Sequence, residues 1–189
     1  MNKLYEQFLA GISEAKAKRI SMNEARKILH TLTPLLKKTS KRFELAGSLR
    51  RKRPTAKDLD ILVANGNLKE IRKGIEELFD IVHVIREGKS LVSVLVGQDA
   101  SLVQVEVINT TSDIFGAALL HLTGSSEFNT GMRIYAKQKG YTLSQHGIFA
   151  GEKKVAGKTE KDIFTLLGLK IIPPEKREDF WIQKDKYKL

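Results

Sequence analysis

The chain has 189 residues, no cysteine, and 33 lysines and arginines against 22 aspartates and glutamates, for a formal net charge of +11. That length buries a real core without disulfides, and any bound metal must sit on oxygen or imidazole. No apolar run approaches the ~20 residues of a membrane helix, and MNKLYEQFLAGISEAKAKRI lacks the apolar core of a signal peptide. The expectation is an intracellular protein off the membrane, cytoplasmic if bacterial and in the host cell if viral. Its positive field attracts polyanions, nucleic acid first among them.

In chain order, Ser21 with Glu24 three positions on forms a capping-box pattern. Met22, Ala25, Ile28, Leu29, Leu32, Leu35 and Leu36 then recur at three and four, which predicts an amphipathic helix. Its basic end, Lys37, Lys38, Lys41 and Arg42, either complements the helix dipole or faces phosphate. RFELAG reads as a short strand ending at a glycine turn. DLDILVA is a second strand, with Leu59, Ile61 and Val63 on one face and Asp58, Asp60 and Leu62 on the other. LKEIRKGIEELF supplies a helix with Leu68, Ile71, Ile75, Leu78 and Phe79 inward, and IVHVIREGKSLVSVLV a hairpin turning at Glu87, Gly88 and Lys89. After a GQDA turn, LVQVEVI alternates Val103, Val105 and Val107 with Gln104, Glu106 and Ile108. From SDIFGAALLHL the pattern turns helical. It passes a connector, TGSSEFN, into a helix over NTGMRIYAKQKG, short strands around YTLSQHGIF and KKV, a helix in TEKDIFTLLG and a Pro-Pro tail. The predicted boundary is near Thr111, where a sheet-rich lobe passes to a helix-rich one. His30, His83 and His146 are read as structural.

Side chains at i and i+2 of a strand leave it about 6.6 Å apart, so Asp58 and Asp60 can converge on ions between them, and Glu106 on a neighbouring strand closes the cluster. Carboxylates so close repel unless cations neutralise them, and oxygen-only ligands suit Mg²⁺ or Mn²⁺. Two divalent ions so held clamp the attacking and leaving oxygens of phosphoryl transfer. An Asp-x-Asp alone is more often a solvated strand face. Here it follows a Gly47-Ser48 turn beside Arg50 and Arg51, whose amides and guanidiniums suit triphosphate oxygens.

GSLRRKRPTAKDLDILV resembles the palm signature of the X family of DNA polymerases, the polymerase beta-like enzymes. VEVI, followed seventeen residues after its Glu by TGSSEFNTGMRIYAKQKGYTL, resembles that family's third-carboxylate strand and thumb motif. EKDIFTLLGLKIIPPEKRE is similar to its C-terminal end. The likeness runs from Lys18 to about Glu178. It implies an α+β fold: a nucleotidyltransferase palm over residues 1–112, a mixed sheet flanked by helices, and a small α+β thumb over 113–189.

The resemblance further implies a DNA-directed DNA polymerase that adds dNTPs to a primer 3′-hydroxyl, fills short gaps in repair and works as a monomer on primer-template or gapped DNA. Asp58, Asp60 and Glu106 would hold two Mg²⁺ ions, with Mn²⁺ as an alternative. Gly47, Ser48, Arg51 and Arg19 would bind the triphosphate, and His121, Gly124, Ser125 and Asn129 the rest of the nucleotide. Arg133, with the basic residues Lys38 and Lys41, would meet DNA. Gly124-Ser125 matches a turn with a cis peptide in that family. Two departures stand out: Glu106 is one methylene longer than the family's usual Asp, and His121-Leu122 replace the common Tyr-Phe. Only seventeen residues precede Lys18, as in the minimal viral members, so deoxyribose-phosphate lyase activity is not expected. The rival readings are another nucleotidyltransferase, acting on RNA or a small molecule, and a noncatalytic nucleic-acid binder.

Overall fold

The computed structural model describes residues 19–98 and 101–189, so part of the GQDA turn lies outside the described residues. In chain order the elements are β1 (Ile20–Ser21), α1 (Met22–Thr39), β2 (Arg42–Leu45), α2 (Gly47–Arg50), β3 (Thr55–Ala56), β4 (Asp58–Ala64), α3 (Leu68–Leu78), β5 (Ile81–Glu87), β6 (Leu91–Gln98) and β7 (Ser101–Thr110). There follow α4 (Phe115–Thr123), α5 (Ser126–Gln138), β8 (Thr142–Ser144), β9 (Gly147–Ala150), β10 (Lys153–Ala156), α6 (Glu160–Leu166) and α7 (Phe180–Lys184).

A five-stranded sheet runs β2-β4-β7-β6-β5, with β4 and β7 parallel and the other pairs antiparallel. The mixed sheet with its helices makes the fold α+β. Period-two alternation sorts the two faces as expected. Leu59, Ile61 and Val63 of β4, Val103, Val105 and Val107 of β7, and Val92, Val94 and Val96 of β6 bury against Ile28, Leu32 and Leu36 of α1 and Ile71 and Ile75 of α3. Each such side chain contributes ~1.5–3 kcal/mol by leaving water. The helices start where local chemistry dictates: the Ser21 hydroxyl accepts from the Glu24 amide at 3.2 Å while the Glu24 carboxylate accepts from the Ser21 amide at 2.7 Å. Asn67 caps α3 in the same sense. Leu78, expected inward, is 44% exposed because α3 ends there; Phe79, just beyond, packs against the core instead.

On the other face of the sheet α4 covers one end. Phe115, Ala118 and Leu119 of α4 pack on Ala46, Leu62 and Ala64, while Ala117 and Leu120 of the same helix join the C-terminal core with Phe128, Met132, Ile148, Phe164 and Phe180. The helix is thus shared between the lobes, and the boundary near Thr111 is a change of topology rather than a break in packing. Its first turn abuts backbone: a Cβ at Gly116 would lie 2.1 Å from the Thr159 carbonyl carbon, and the amides of Gly116 and Ala117 donate to the carbonyls of Lys158 and Gly157. TGSSEFN is not a connector. Ser125 caps α5, accepting from the Phe128 amide at 3.1 Å, so Glu127 and Asn129 already lie in the helix.

Candidate active site

Parallel pairing of β4 with β7 puts Asp60 in register with Glu106, and antiparallel pairing of β7 with β6 puts Glu106 in register with Ser93. A row Asp60, Glu106, Ser93 therefore crosses three strands, with Asp58 two residues before Asp60 on the same face. This is the face that α4 leaves open. The charges feel one another. Burial and the fields of Asp58 and Glu106 push the Asp60 carboxyl up to about 7, against a smaller downward pull from Arg51. Burial and Glu106 likewise push Asp58 above the ordinary carboxylate range, opposed by its own backbone, Lys57 and Arg19.

Among the described residues no group of three His, Asp or Glu side chains is drawn in tightly enough to enclose a metal ion. Glu106 directs Oε1 to its neighbours on the sheet, accepting from Ser93 Oγ at 2.9 Å and from Gln104 Nε2 at 2.8 Å. The donor set nevertheless fits hard divalent cations: three oxygen-only side chains on one face, two of them pushed toward protonation by burial and by neighbouring carboxylates.

Gly47 opens α2 directly over Asp60. It sits at φ +61, and a Cβ there would lie 1.9 Å from Asp60 Oδ2, so only glycine lets the turn reach the carboxylate. Ser48 follows on the same turn. Arg50 to Arg53 then meet acids from the far end of the chain. Arg50 forks onto Glu160 at 2.8 and 2.7 Å and donates to Thr123 Oγ1 at 2.7 Å. Arg177, fully buried, donates to the same Glu160 at 2.5 Å. Arg51 Nε and Arg53 Nη2 share Glu178 Oε1 at 2.9 and 2.7 Å, Arg51 also donates to the Thr123 carbonyl, and Lys52 pairs with Glu175 at 3.1 Å. Burial raises the Glu160 carboxyl, yet hydrogen bonds from Arg50 and Arg177 outweigh it and hold the group below its ordinary value.

The family described as DNA polymerase beta thumb matches residues 118–178. The DNA polymerase/3′-5′ exonuclease PolX of Bacillus subtilis is 38% identical over 140 residues, 72% of this chain and 24% of that protein. The DNA polymerase lambda of Rattus norvegicus is 32% identical over 162 residues, 70% of this chain and 28% of that protein. The repair DNA polymerase X of African swine fever virus is 28% identical over 150 residues, 76% of this chain and 85% of that protein. The chain belongs to the X family of DNA polymerases. It spans about a quarter of the length of the bacterial and rat X-family relatives.

On the thumb side of this X-family chain, three expected residues meet one another. Asn129 Nδ2 donates to the His121 carbonyl at 2.7 Å, and Arg133 Nη2 lies 3.1 Å from His121 Nδ1. A guanidinium only donates, so Nδ1 accepts and the neutral ring carries its proton on Nε2. Burial, Arg133 and His146 all push the imidazole below its ordinary pKa, which keeps it neutral at pH 7. His121, Leu122 and His146 line a cleft of about 200 Å³ between the end of β7 and the thumb. The Gly124-Ser125 peptide is cis, as the resemblance implied, and the Ser125 hydroxyl donates to the Glu178 carbonyl at 2.8 Å.

Two expected contributions fall apart from this group. Arg19 lies at the edge, donating to Thr55 Oγ1 and O at 2.7 and 2.8 Å, near enough to act on Asp58. Lys38 lies in the helical layer behind the sheet, beside Glu70 and Lys73 of α3, and Lys41 leaves that layer at β2, its amide bonded to the Ala64 carbonyl. Neither faces the carboxylates. Sequence reasoning missed Ser93, Glu160, Arg177 and Glu178. Ser93 had one signal, a small polar residue inside an apolar strand; the acids looked like surface charge.

Proposed function

We propose that this chain is a DNA-directed DNA polymerase that extends a primer 3′-hydroxyl with dNTPs and fills short gaps during repair. What chiefly supports this reading is the cross-strand register of Asp60 with Glu106 and the place of Asp58 on the same face, an under-compensated anionic group beside the Gly47 turn. Asp58, Asp60 and Glu106 would hold divalent cations, two Mg²⁺ or Mn²⁺ in their place. Those ions, when bound, supply the charge neutralisation that phosphoryl transfer needs.

The chain's own residues do the rest. Glu106 would favour loss of the primer hydroxyl proton, and the amides of Gly47 and Ser48 would bind phosphate oxygens. Arg51 binds the triphosphate in competition with Glu178, whose carboxylate already takes its Nε–H. Neutral His121, fixed by Asn129 and Arg133, offers Nε2–H to the sugar or phosphate of the nucleotide. Residues 1–112 act as palm and 113–189 as thumb, with α4 shared between them, and the protein works as a monomer. The thumb elements disfavour a small-molecule nucleotidyltransferase. The deciding test is primer extension on gapped DNA with each of the four dNTPs, with and without Mg²⁺. Metal-dependent, template-matched addition supports the reading, and the absence of any addition overturns it.

A further inference from the structure

We propose that Ser93 and Gln104 are positioning residues that fix Glu106, and that the length of the glutamate side chain is what lets it reach them. The inference rests on the polymerase reading for its activity arm only.

Three side chains from two strands meet at one oxygen. Ser93 is 1% exposed, so its hydroxyl, cut off from water, needs a partner within the protein. It donates to Glu106 Oε1 at 2.9 Å, and Gln104 Nε2 reaches both Glu106 Oε1 at 2.8 Å and Ser93 Oγ at 3.3 Å. Both donors address Oε1, so Oε2 carries neither bond. Glu106 stands between two register partners, Asp60 on β4 and Ser93 on β6. The extra methylene is what lets its carboxylate span toward Ser93 while its Cα remains in line with Asp60. An aspartate at 106 would fall short of Ser93 and leave the buried hydroxyl without an acceptor for its proton. A glutamate without the two donors would have three free torsions and no fixed place for its charge, and groups that orient a ligand in this way change metal affinity or activity by about 10- to 100-fold when removed.

The test uses Ser93→Ala, Gln104→Leu, Glu106→Asp and their combinations. Mn²⁺ binding is read from the free-ion electron paramagnetic resonance signal, nucleotide insertion in a single turnover, and folding by thermal unfolding. The expected result is a 10- to 100-fold loss of insertion rate in Ser93→Ala/Gln104→Leu, with nucleotide KM within about threefold of wild type and weakened Mn²⁺ binding. In the Glu106→Asp background the same two changes should cost little further, because the contacts they remove are already out of reach. Wild-type Mn²⁺ affinity and insertion rate in the double variant, or losses that add in full to those of Glu106→Asp, would overturn the assignment. Failure of the polymerase reading would show differently, as a wild-type chain that inserts nothing, and the Mn²⁺ arm would still decide the role of Ser93 and Gln104.

Discussion

The carboxylate row of the sheet and the basic turn at Arg50 to Arg53 lie side by side and carry opposite charge, yet one is uncompensated and the other saturated. Asp58 and Asp60 are pushed upward in pKa because burial and like charge meet too little positive charge. Each of Arg50, Arg51, Lys52 and Arg53 has a carboxylate partner on Glu160, Glu175 or Glu178. The acidic cluster is left short of positive charge by the chain itself. The saturated basic turn is a joint, here between the sheet and the last third of the chain. The exception is Glu178, whose side chain is 41% exposed and which serves two guanidiniums with one oxygen. It is the member of the joint that an incoming anion can replace.

The largest effect separating the two regions is expected at the acids. Asp60→Asn or Asp58→Asn should abolish nearly all extension while DNA binding stays intact or tightens, as an anion near phosphates is lost. Glu106→Gln should be severely impaired. Stability should move the opposite way. The folded-state pKa of Asp60, about 7 against an ordinary 3.8, is raised, so its contribution is complete below pH ~4 and lost as pH rises through 7. In metal-free buffer at pH 8, Asp60→Asn should therefore melt higher than wild type, with the gap closing by pH 4. Added Mg²⁺ should raise the wild-type Tm at pH 8. Calorimetry in paired buffers checks the sign.

At the joint, Glu160→Gln should do the reverse, since it strands buried Arg177 and half-buried Arg50. Removing one partner of a buried pair costs ~3–5 kcal/mol, a Tm loss of about 10 °C in a chain of this size. Because Glu160 titrates below its ordinary value, this support is present above that value and disappears as acid titrates the folded group. A Tm change under 2 °C would show that the joint carries no load.

A smaller change is expected for Glu178→Gln. Glu178 itself is 41% exposed, and pairs so open to solvent contribute about 0–1 kcal/mol, so Tm should hardly move, while nucleotide KM should fall a few-fold as Arg51 is released. A raised KM would mean that Glu178 positions Arg51 rather than competing for it. His121→Ala should weaken nucleotide binding more than DNA binding, measured by single-nucleotide insertion with matched deoxy- and ribonucleotides.

The slightest change is expected behind the sheet. Five or six neutralised phosphates give a log-log salt slope of about −5 for duplex binding, and Lys38→Ala should lower it by at most one. A slope that does not move removes Lys38 from the DNA contact.

Features of short range were legible in the sequence. Alternation in DLDILVA placed Asp58 and Asp60 on one face because strand period is a property of the backbone, and the Ser21–Glu24 cap rests on contacts three residues apart. The joint was not legible, because Arg50 and Glu160 lie 110 positions apart and a lone arginine or glutamate has no local pattern that names its partner. Ser125 was hidden as a cap for a related reason: its run of small polar residues suits a connector as well as a first turn, and packing of Phe128 into the C-terminal core decides between them. The row Asp60, Glu106, Ser93 belongs wholly to tertiary structure. Each residue sits on its own strand, and only the register of β4 with β7 and of β7 with β6, set by burying the valines on the opposite face, brings the three into line.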